Sequence, residues 1–197
     1  MPKQVGNTAP PTGLGKWFFR APIKLYDAGL GWMMGKRFIL LNHIGRKSGL
    51  PRQAVVEVVD CDAETDTYFI ASGYGKKSQW YQNIVAQPEI TILAGRRKLA
   101  VTAVPLPADE SGERMVRYAH RYPTAAKNLT RLIGYEVDGT DEDFRLMAHN
   151  FIPFIALRPR EVLSTTEGLP TWPFALALAA LSVLGMIFVV KRKKTER

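Results

Sequence analysis

Apolar and β-branched residues recur in short runs through the middle of the chain, at 37–43, 53–60, 67–72, 89–93, 99–106 and 151–158, with glycine, proline or acidic clusters between them. Runs of that length and composition predict β-strands. The polar stretch Asp60-Cys61-Asp62-Ala63-Glu64-Thr65-Asp66 joins two of them at hairpin length, and Ala94-Gly95-Arg96-Arg97 joins two more through a tighter turn. The sheet is therefore expected to be largely antiparallel. Helical spacing takes over at 78–86, where Trp80, Ile84 and Val85 share a face ahead of Pro88, and at 108–121 around Met115, Val116 and Ala119. Thr140 followed by Asp141, Glu142 and Asp143 reads as a capped helix start whose carboxylates complement the helix dipole. Residues 23–34 also have apolar positions at helical spacing, with Trp17, Phe18, Phe19 and Trp32 nearby, and suit either core packing or a membrane interface. Six strands, short helices and a late closing strand predict an α+β fold built on a closed or split β-barrel, because the strand–helix alternation of a doubly wound sheet is missing.

Two glycine-punctuated basic turns interrupt this pattern, Gly45-Arg46-Lys47-Ser48-Gly49-Leu50-Pro51-Arg52 and Gly73-Tyr74-Gly75-Lys76-Lys77, each entered from a strand-like run. Cations, a hydroxyl and pliable backbone within eight residues can converge on a phosphate, and the flanking strands hold them in place. A solvated basic hairpin loop is the plainer reading of the same composition. The net charge of +9 does not by itself indicate nucleic acid: Lys191–Arg197 carries five cations and one anion, which leaves 22 cations against 17 anions elsewhere, a net +5. No zinc-finger spacing or aromatic RNA-binding signature accompanies that charge, so no nucleic-acid partner is expected. Cys61 is the only cysteine and sits among Asp60, Asp62 and Glu64, where a lowered thiol pKa is disfavoured, and it reads as a turn residue. His43, His120 and His149 are scattered and no paired carboxylates form a motif, so neither a metal site nor a triad is expected.

The eighteen residues 173–190, PFALALAALSVLGMIFVV, carry no charge, follow Trp172 and precede Lys191-Arg192-Lys193-Lys194. Length, apolarity, the interfacial aromatic and the basic stop predict one membrane-spanning helix. Residues 1–13 are polar and proline-rich, are expected to be disordered, and show no export signal. The positive-inside rule and the missing export signal disagree about orientation, and the second places the domain on the cytoplasmic side. The expected organisation is a disordered 1–13, a barrel domain at 14–160, a linker at 161–172, the span at 173–190 and a basic tail at 191–197.

The segments LLNHIGRKSGLPR, FIASGYGKKSQWYQNI and IPFIALRPR, each on or after a strand-like run, resemble the deazaflavin-dependent nitroreductase and quinone reductase family of actinobacteria, whose members use reduced coenzyme F-420 on a split β-barrel like that of pyridoxamine phosphate oxidases. The resemblance covers roughly residues 14–160. It implies that Arg46, Lys47, Ser48 and Arg52 bind the phosphate and acidic tail of the coenzyme, that Ala54 and Val55 offer backbone contacts to the deazaflavin ring, and that Ser72, Trp80 and Asn83 close the other side. The family commonly has lysine after the matched serine; this chain has Gly73-Tyr74, with Lys76 and Lys77 displaced but available to the cofactor tail. Between Tyr122 and Phe151 it has a longer insert containing Tyr135 and Glu136 in place of the family's short tyrosine-rich helix.

The resemblance implies an oxidoreductase that passes a hydride from reduced coenzyme F-420 to an electron-poor acceptor, a lipid-soluble quinone or a nitro compound. A hydride carrier needs binding, orientation, water exclusion and one proton donor from the protein. Ser72 and Tyr74 are the candidate donors, with Tyr122 and Tyr135 further away in sequence. Two alternatives share the barrel: a lipid or fatty-acid binding protein, which would have no use for a phosphate cradle, and an oxidoreductase using flavin mononucleotide.

Overall fold

A computed structural model of the chain describes residues 2–6, 22–35, 37–132 and 134–165. Six of the strand-like runs become strands: β2 Phe38–Ile44, β3 Pro51–Asp62, β4 Thr67–Ala71, β5 Glu89–Ala94, β6 Arg97–Pro105 and β8 Phe154–Thr165. They close into a barrel in the order β2-β3-β4-β8-β6-β5, and every neighbouring pair is antiparallel. The two hairpin connections read from the sequence are present: β3 leads to β4 through residues 63–66, and β5 to β6 through Gly95-Arg96. Gly95 has φ +61, a left-handed value that glycine adopts without strain.

Strand alternation determines which residues fill the barrel. Ile39 and Leu41 of β2, Val56 and Val58 of β3, and Ile90, Ile92 and Ala94 of β5 all enter one buried cluster. β4 and the first four residues of β8, 154–157, are apolar on both faces because both are covered. Tyr68, Ile70, Ile155 and Leu157 belong to that cluster, whereas Phe69, Phe154 and Ala156 face a second one built with the helices. Those helices are α3 Ala108–Arg121, α4 Pro123–Leu132 and α5 Asp141–Asn150; Met115 and Tyr118 of α3 and Phe144 and Met147 of α5 are buried in the second cluster. Thr140 caps α5, its side chain accepting from the Asp143 N–H at 3.3 Å. A further short helix, α2 Gln79–Ala86, packs Tyr81 and Ile84 into the barrel cluster and so closes one end.

Several expectations change on contact with the fold. The single helix expected over 23–34 is a helix α1 at 22–27, followed by a turn and a 3-10 segment Gly31–Met34; Gly29 at φ +73 breaks the run, and Ile23 and Tyr26 pack on Leu40 of β2. On α2, Val85 is 45% exposed, so the buried face runs through Tyr81, Asn83 and Ile84 instead. The expected disorder of residues 1–13 does not hold at the start, because β1 Lys3–Gln4 pairs with β7 Tyr135–Glu136. Part of the expected linker is also strand: β8 stays paired with β6 as far as Thr165. Helix α4 was not anticipated from spacing; its apolar side, with Ala126 buried and Ala125 and Leu129 beside it, packs on the second cluster. Among the described residues no helix is long and apolar enough to cross a membrane, and the span expected at 173–190 lies outside the described residues, as does the rest of the expected 1–13 segment beyond residue 6.

Barrel closure depends on the β2–β5 pairing, whose inward residues meet around Ile92, which is fully buried. Ile92→Ala is expected to lower unfolding free energy by about 2–5 kcal/mol, whereas Val162→Ala, at a position 51% exposed on β8, should stay within roughly 0.5 kcal/mol. Urea unfolding followed by circular dichroism measures both.

Candidate functional site

The first basic turn owes its shape to two glycines. Gly45 is buried; its N–H donates to the Leu50 carbonyl at 2.9 Å, and its own carbonyl accepts from Ser48 and Gly49 at 3.1 and 2.8 Å. Gly49 has φ +66, so the chain reverses there without strain. The turn brings Arg46 over α2. There the Asn83 Oδ1 accepts from the Arg46 backbone N–H at 3.2 Å and from its Nη1 at 3.0 Å, Gln79 Oε1 accepts from Nη1 at 3.1 Å, and Gln82 Oε1 accepts from Nη2. All three side chains are neutral amides, so the guanidinium is held in place with its charge intact. Gln82 also donates through Nε2 to the Lys76 carbonyl at 2.9 Å, which ties the first basic turn to the second.

The second turn is closed around Ser72. Its hydroxyl donates to the Gly75 carbonyl at 2.8 Å and shares a 2.8 Å hydrogen bond with the Ser78 hydroxyl, and the residue is fully buried. Gly75 has φ +64, and a Cβ there would lie 2.7 Å from the Phe151 carbonyl oxygen. Tyr74 is half-buried against the helical cluster, and burial raises its phenol above the ordinary value. Ser72 and Tyr74 are thus both at this turn, the first inside it and the second beside the helices. Lys76 and Lys77 are exposed on the turn, as are Lys47, Ser48 and Arg52 on the other.

Three observations match this region to a large anionic cofactor with a polar ring. Among the described residues no carboxylate pairs with Arg46, Lys47, Arg52, Lys76 or Lys77, although Arg37, Arg97, Arg114, Arg145 and Arg160 each have one at 2.6–3.0 Å. Unneutralised cations in two linked turns fit phosphate and carboxylate groups. Beside them, β3 pairs with β4 only over Val58–Asp62, so Pro51–Glu57 has β2 along one edge and no strand along the other among the described residues. Ala54 and Val55 lie in that open stretch, whose free backbone groups can meet the carbonyl and N–H edge of a ring. The Val55 side chain turns away to pack with Ile23 and Tyr26. Third, Trp80 is partly buried against the barrel cluster, edge-on to Tyr81 with ring centroids 6.2 Å apart, and supplies apolar surface on α2.

His43 is a member of this site that spacing in the sequence could not single out. It is buried at the end of β2, its Nδ1 3.4 Å from Asn83 Nδ2. Burial, and secondarily the nearby Arg52, lower its pKa, so the neutral ring accepts from the Asn83 amide. The signal that could have found it is register: His43 lies opposite Arg52 across the β2–β3 hairpin. Among the described residues no group of His, Cys, Asp and Glu could hold a metal ion.

Residues 23–136, more than half of the chain, match the model of a family described as F420H(2)-dependent quinone reductase. No curated protein shows significant similarity. Among solved structures, the chain is similar to an F420-H2 dependent reductase (FDR-A), at 22% identity over 62% of this chain and 95% of that one, with a TM-score of 0.43. It is also similar to a putative pyridoxamine 5'-phosphate oxidase from Listeria innocua, at 12% identity over 71% and 98% of the two chains with a TM-score of 0.43, and to HutZ, the heme storage protein from Vibrio cholerae, at 12% identity over 73% and 96% with a TM-score of 0.48.

The His43 environment makes a pH prediction. A lowered native pKa means that, just below the ordinary value of 6.5, the unfolded chain binds a proton that the native chain does not. Stability contributed by neutral His43 is therefore present above 6.5 and is lost as pH falls through the window between 6.5 and the lower native value. Urea midpoints measured from pH 7.5 to 5 should fall more steeply for the natural chain than for His43→Gln.

Proposed function

We propose that this chain, which belongs to the F420H(2)-dependent quinone reductase family and is therefore an oxidoreductase using coenzyme F-420, reduces a lipid-soluble quinone. When bound, the reduced coenzyme supplies a hydride, and with one proton to the acceptor oxygen the quinone becomes its two-electron-reduced form. What the chain's own residues do is bind, orient and keep out water. Arg46, Lys47, Ser48 and Arg52 hold the phosphate and acidic tail, with Lys76 and Lys77 facing the same anionic groups from the second turn. Asn83, Gln79 and Gln82 fix Arg46 before anything binds, which removes the entropy of ordering a long side chain. Backbone groups at Ala54 and Val55 and the Trp80 ring face the planar part. Of the two candidate proton donors, Tyr74 retains surface contact and, with its raised pKa, keeps its proton at neutral pH.

The observation that carries this reading is the pair of linked turns whose cations have no carboxylate partner among the described residues. The membrane part of the reading rests on sequence: the apolar run 173–190 with its basic flank is proposed to hold the enzyme at the bilayer in which a long-chain quinone dissolves.

Arg46→Ala and Lys47→Ala are each expected to weaken coenzyme F-420 binding by about 1.5–3 kcal/mol, the range for a charge-assisted contact; fluorescence titration at fixed salt measures it, and two unchanged affinities would reduce the turn to a solvated loop. Deleting residues 171–197 should leave cofactor binding and turnover of a water-soluble quinone intact while slowing turnover of a long-chain quinone in vesicles. Equal vesicle rates for the two proteins would remove the support for a bilayer-dissolved acceptor.

A further inference from the structure

The outer face of β3, β2 and β5 is arranged in rows by strand register. In one row Val55, Leu40 and Leu93 lie side by side, and Ile23 and Tyr26 of α1 cover them. In the next row toward the basic turn, Gln53, Asn42 and Thr91 stand on the same face, with nothing among the described residues packed over them. This row is part of the wall of a cavity of about 1060 Å³, walled by α1 on one side and by Ile44 and Pro51 at the hairpin end. Arg52 of the basic turn lines it as well, so the cavity adjoins the anion-binding region. That volume is at the upper end for a small-molecule site.

Its chemistry differs from that of the turn. The three wall side chains are uncharged. Arg160 is answered by Glu89 at 3.0 Å, and Lys24 and Asp27 bring one charge of each sign to the lining. Gln53 Nε2 donates to Asn42 Oδ1 at 2.9 Å, which turns the Asn42 amide so that its Nδ2 hydrogens are left for a ligand. The Thr91 hydroxyl is on the adjoining strand, about 4.8 Å across the ladder. Ile23, Ile44 and Pro51 supply apolar walls on either side of these donors. Neutral donors in a row between apolar walls suit an uncharged planar ring that carries carbonyl oxygens, and suit poorly the anionic tail that the turn would take.

We propose that this shelf is the acceptor site, holding the ring of a quinone against Asn42 and Thr91 with its apolar substituent running past Ile23 and Ile44. The assignment rests on the quinone reductase reading and names where its second substrate sits. Gln53 of the shelf directly precedes Ala54, whose backbone lies on the β3 edge assigned to the deazaflavin ring, so the acceptor's place adjoins that of the hydride-donating ring, while Arg52 remains with the cofactor's anionic tail.

The test uses the full chain, menadione as the probe, and two variants made for different reasons: Thr91→Trp, which fills the shelf, and Asn42→Leu, which removes the donor at similar size. Coenzyme F-420 affinity reports that each variant is folded and that the cofactor site is undisturbed. For both variants, menadione binding to cofactor-free protein, measured by equilibrium dialysis, is expected to fall at least tenfold, and KM for menadione to rise by a similar factor, while the F-420 dissociation constant stays within twofold. Two outcomes overturn the proposal: unchanged menadione binding and KM in both variants, or a tenfold loss of F-420 affinity with menadione binding retained, which would make the shelf the seat of the deazaflavin ring. A natural chain that binds menadione on this shelf yet never oxidises reduced F-420 with it would sink the reductase reading and leave the site standing, so the two failures are separable.

Discussion

Everything at the candidate site hangs on the Asn83 side chain. Its carbonyl oxygen receives both the backbone N–H and the guanidinium of Arg46, and its amide nitrogen reaches the neutral ring of His43. Asn83 is only 6% exposed, so these contacts form where water competes poorly and an unpaired partner would be costly, by about 1–3 kcal/mol per group. The clasp exists only if α2 is docked. Docking in turn is driven by Tyr81 and Ile84, which sit in the barrel cluster between the inward residues of the strands. A chain of dependence therefore runs from strand alternation, through the filled barrel, to one helix end, and from that end to the geometry of the basic turn.

The choice of amides at this clasp has an electrostatic logic. Elsewhere in the protein arginines are held by carboxylates: Arg97 by Asp66, Arg114 by Asp60 and Glu110, Arg145 by Glu113 and Glu142. A carboxylate in place of Asn83 would position Arg46 equally well but would offset its charge by about 4 kcal/mol at 4 Å in surroundings of intermediate dielectric. Asn83, Gln79 and Gln82 give position without neutralisation. Gln82 extends the same device to the second turn through the Lys76 carbonyl, so the two groups of cations are held as one unit.

How far the sequence disclosed this arrangement depends on the range of the interactions concerned. The strands were legible because alternation and β-branching are local, and α3 was legible because its apolar face repeats over fourteen residues. Thr140 was legible because a cap needs only the three residues after it. The break at Gly29 was not, since a single left-handed glycine interrupts an apolar spacing that otherwise continues. Nor was the exposure of Val85, because the face that α2 buries is decided by the barrel end it closes. Both basic turns and the residues Trp80 and Asn83 could be picked out, but the reason Asn83 matters lies 37 positions away at Arg46 and 40 away at His43. Ser72 looked like a reactive hydroxyl at a strand end; only the fold reveals that Gly75 and Ser78 engage it within the turn.

One constraint shapes both the barrel and the site, and it acts on β3. A closed barrel removes exposed strand edges, which otherwise invite unwanted pairing. Here the barrel is closed but part of one edge stays open: β3 meets β4 only from Val58 onward, with a shift between Val58 and Asp60, and among the described residues Pro51–Glu57 is paired on one side alone. The point where pairing stops is fixed by side chains. Glu57 accepts from Arg37 at 3.0 Å and from the Tyr118 hydroxyl at 2.9 Å, and the buried phenol, its pKa raised by desolvation, remains a donor. These contacts hold β3 against α3 where β4 no longer does. The open edge that results begins beside the basic turn, so the same stretch of backbone that the barrel gives up for pairing is the stretch able to meet a ligand's polar edge while the neighbouring cations meet its charge.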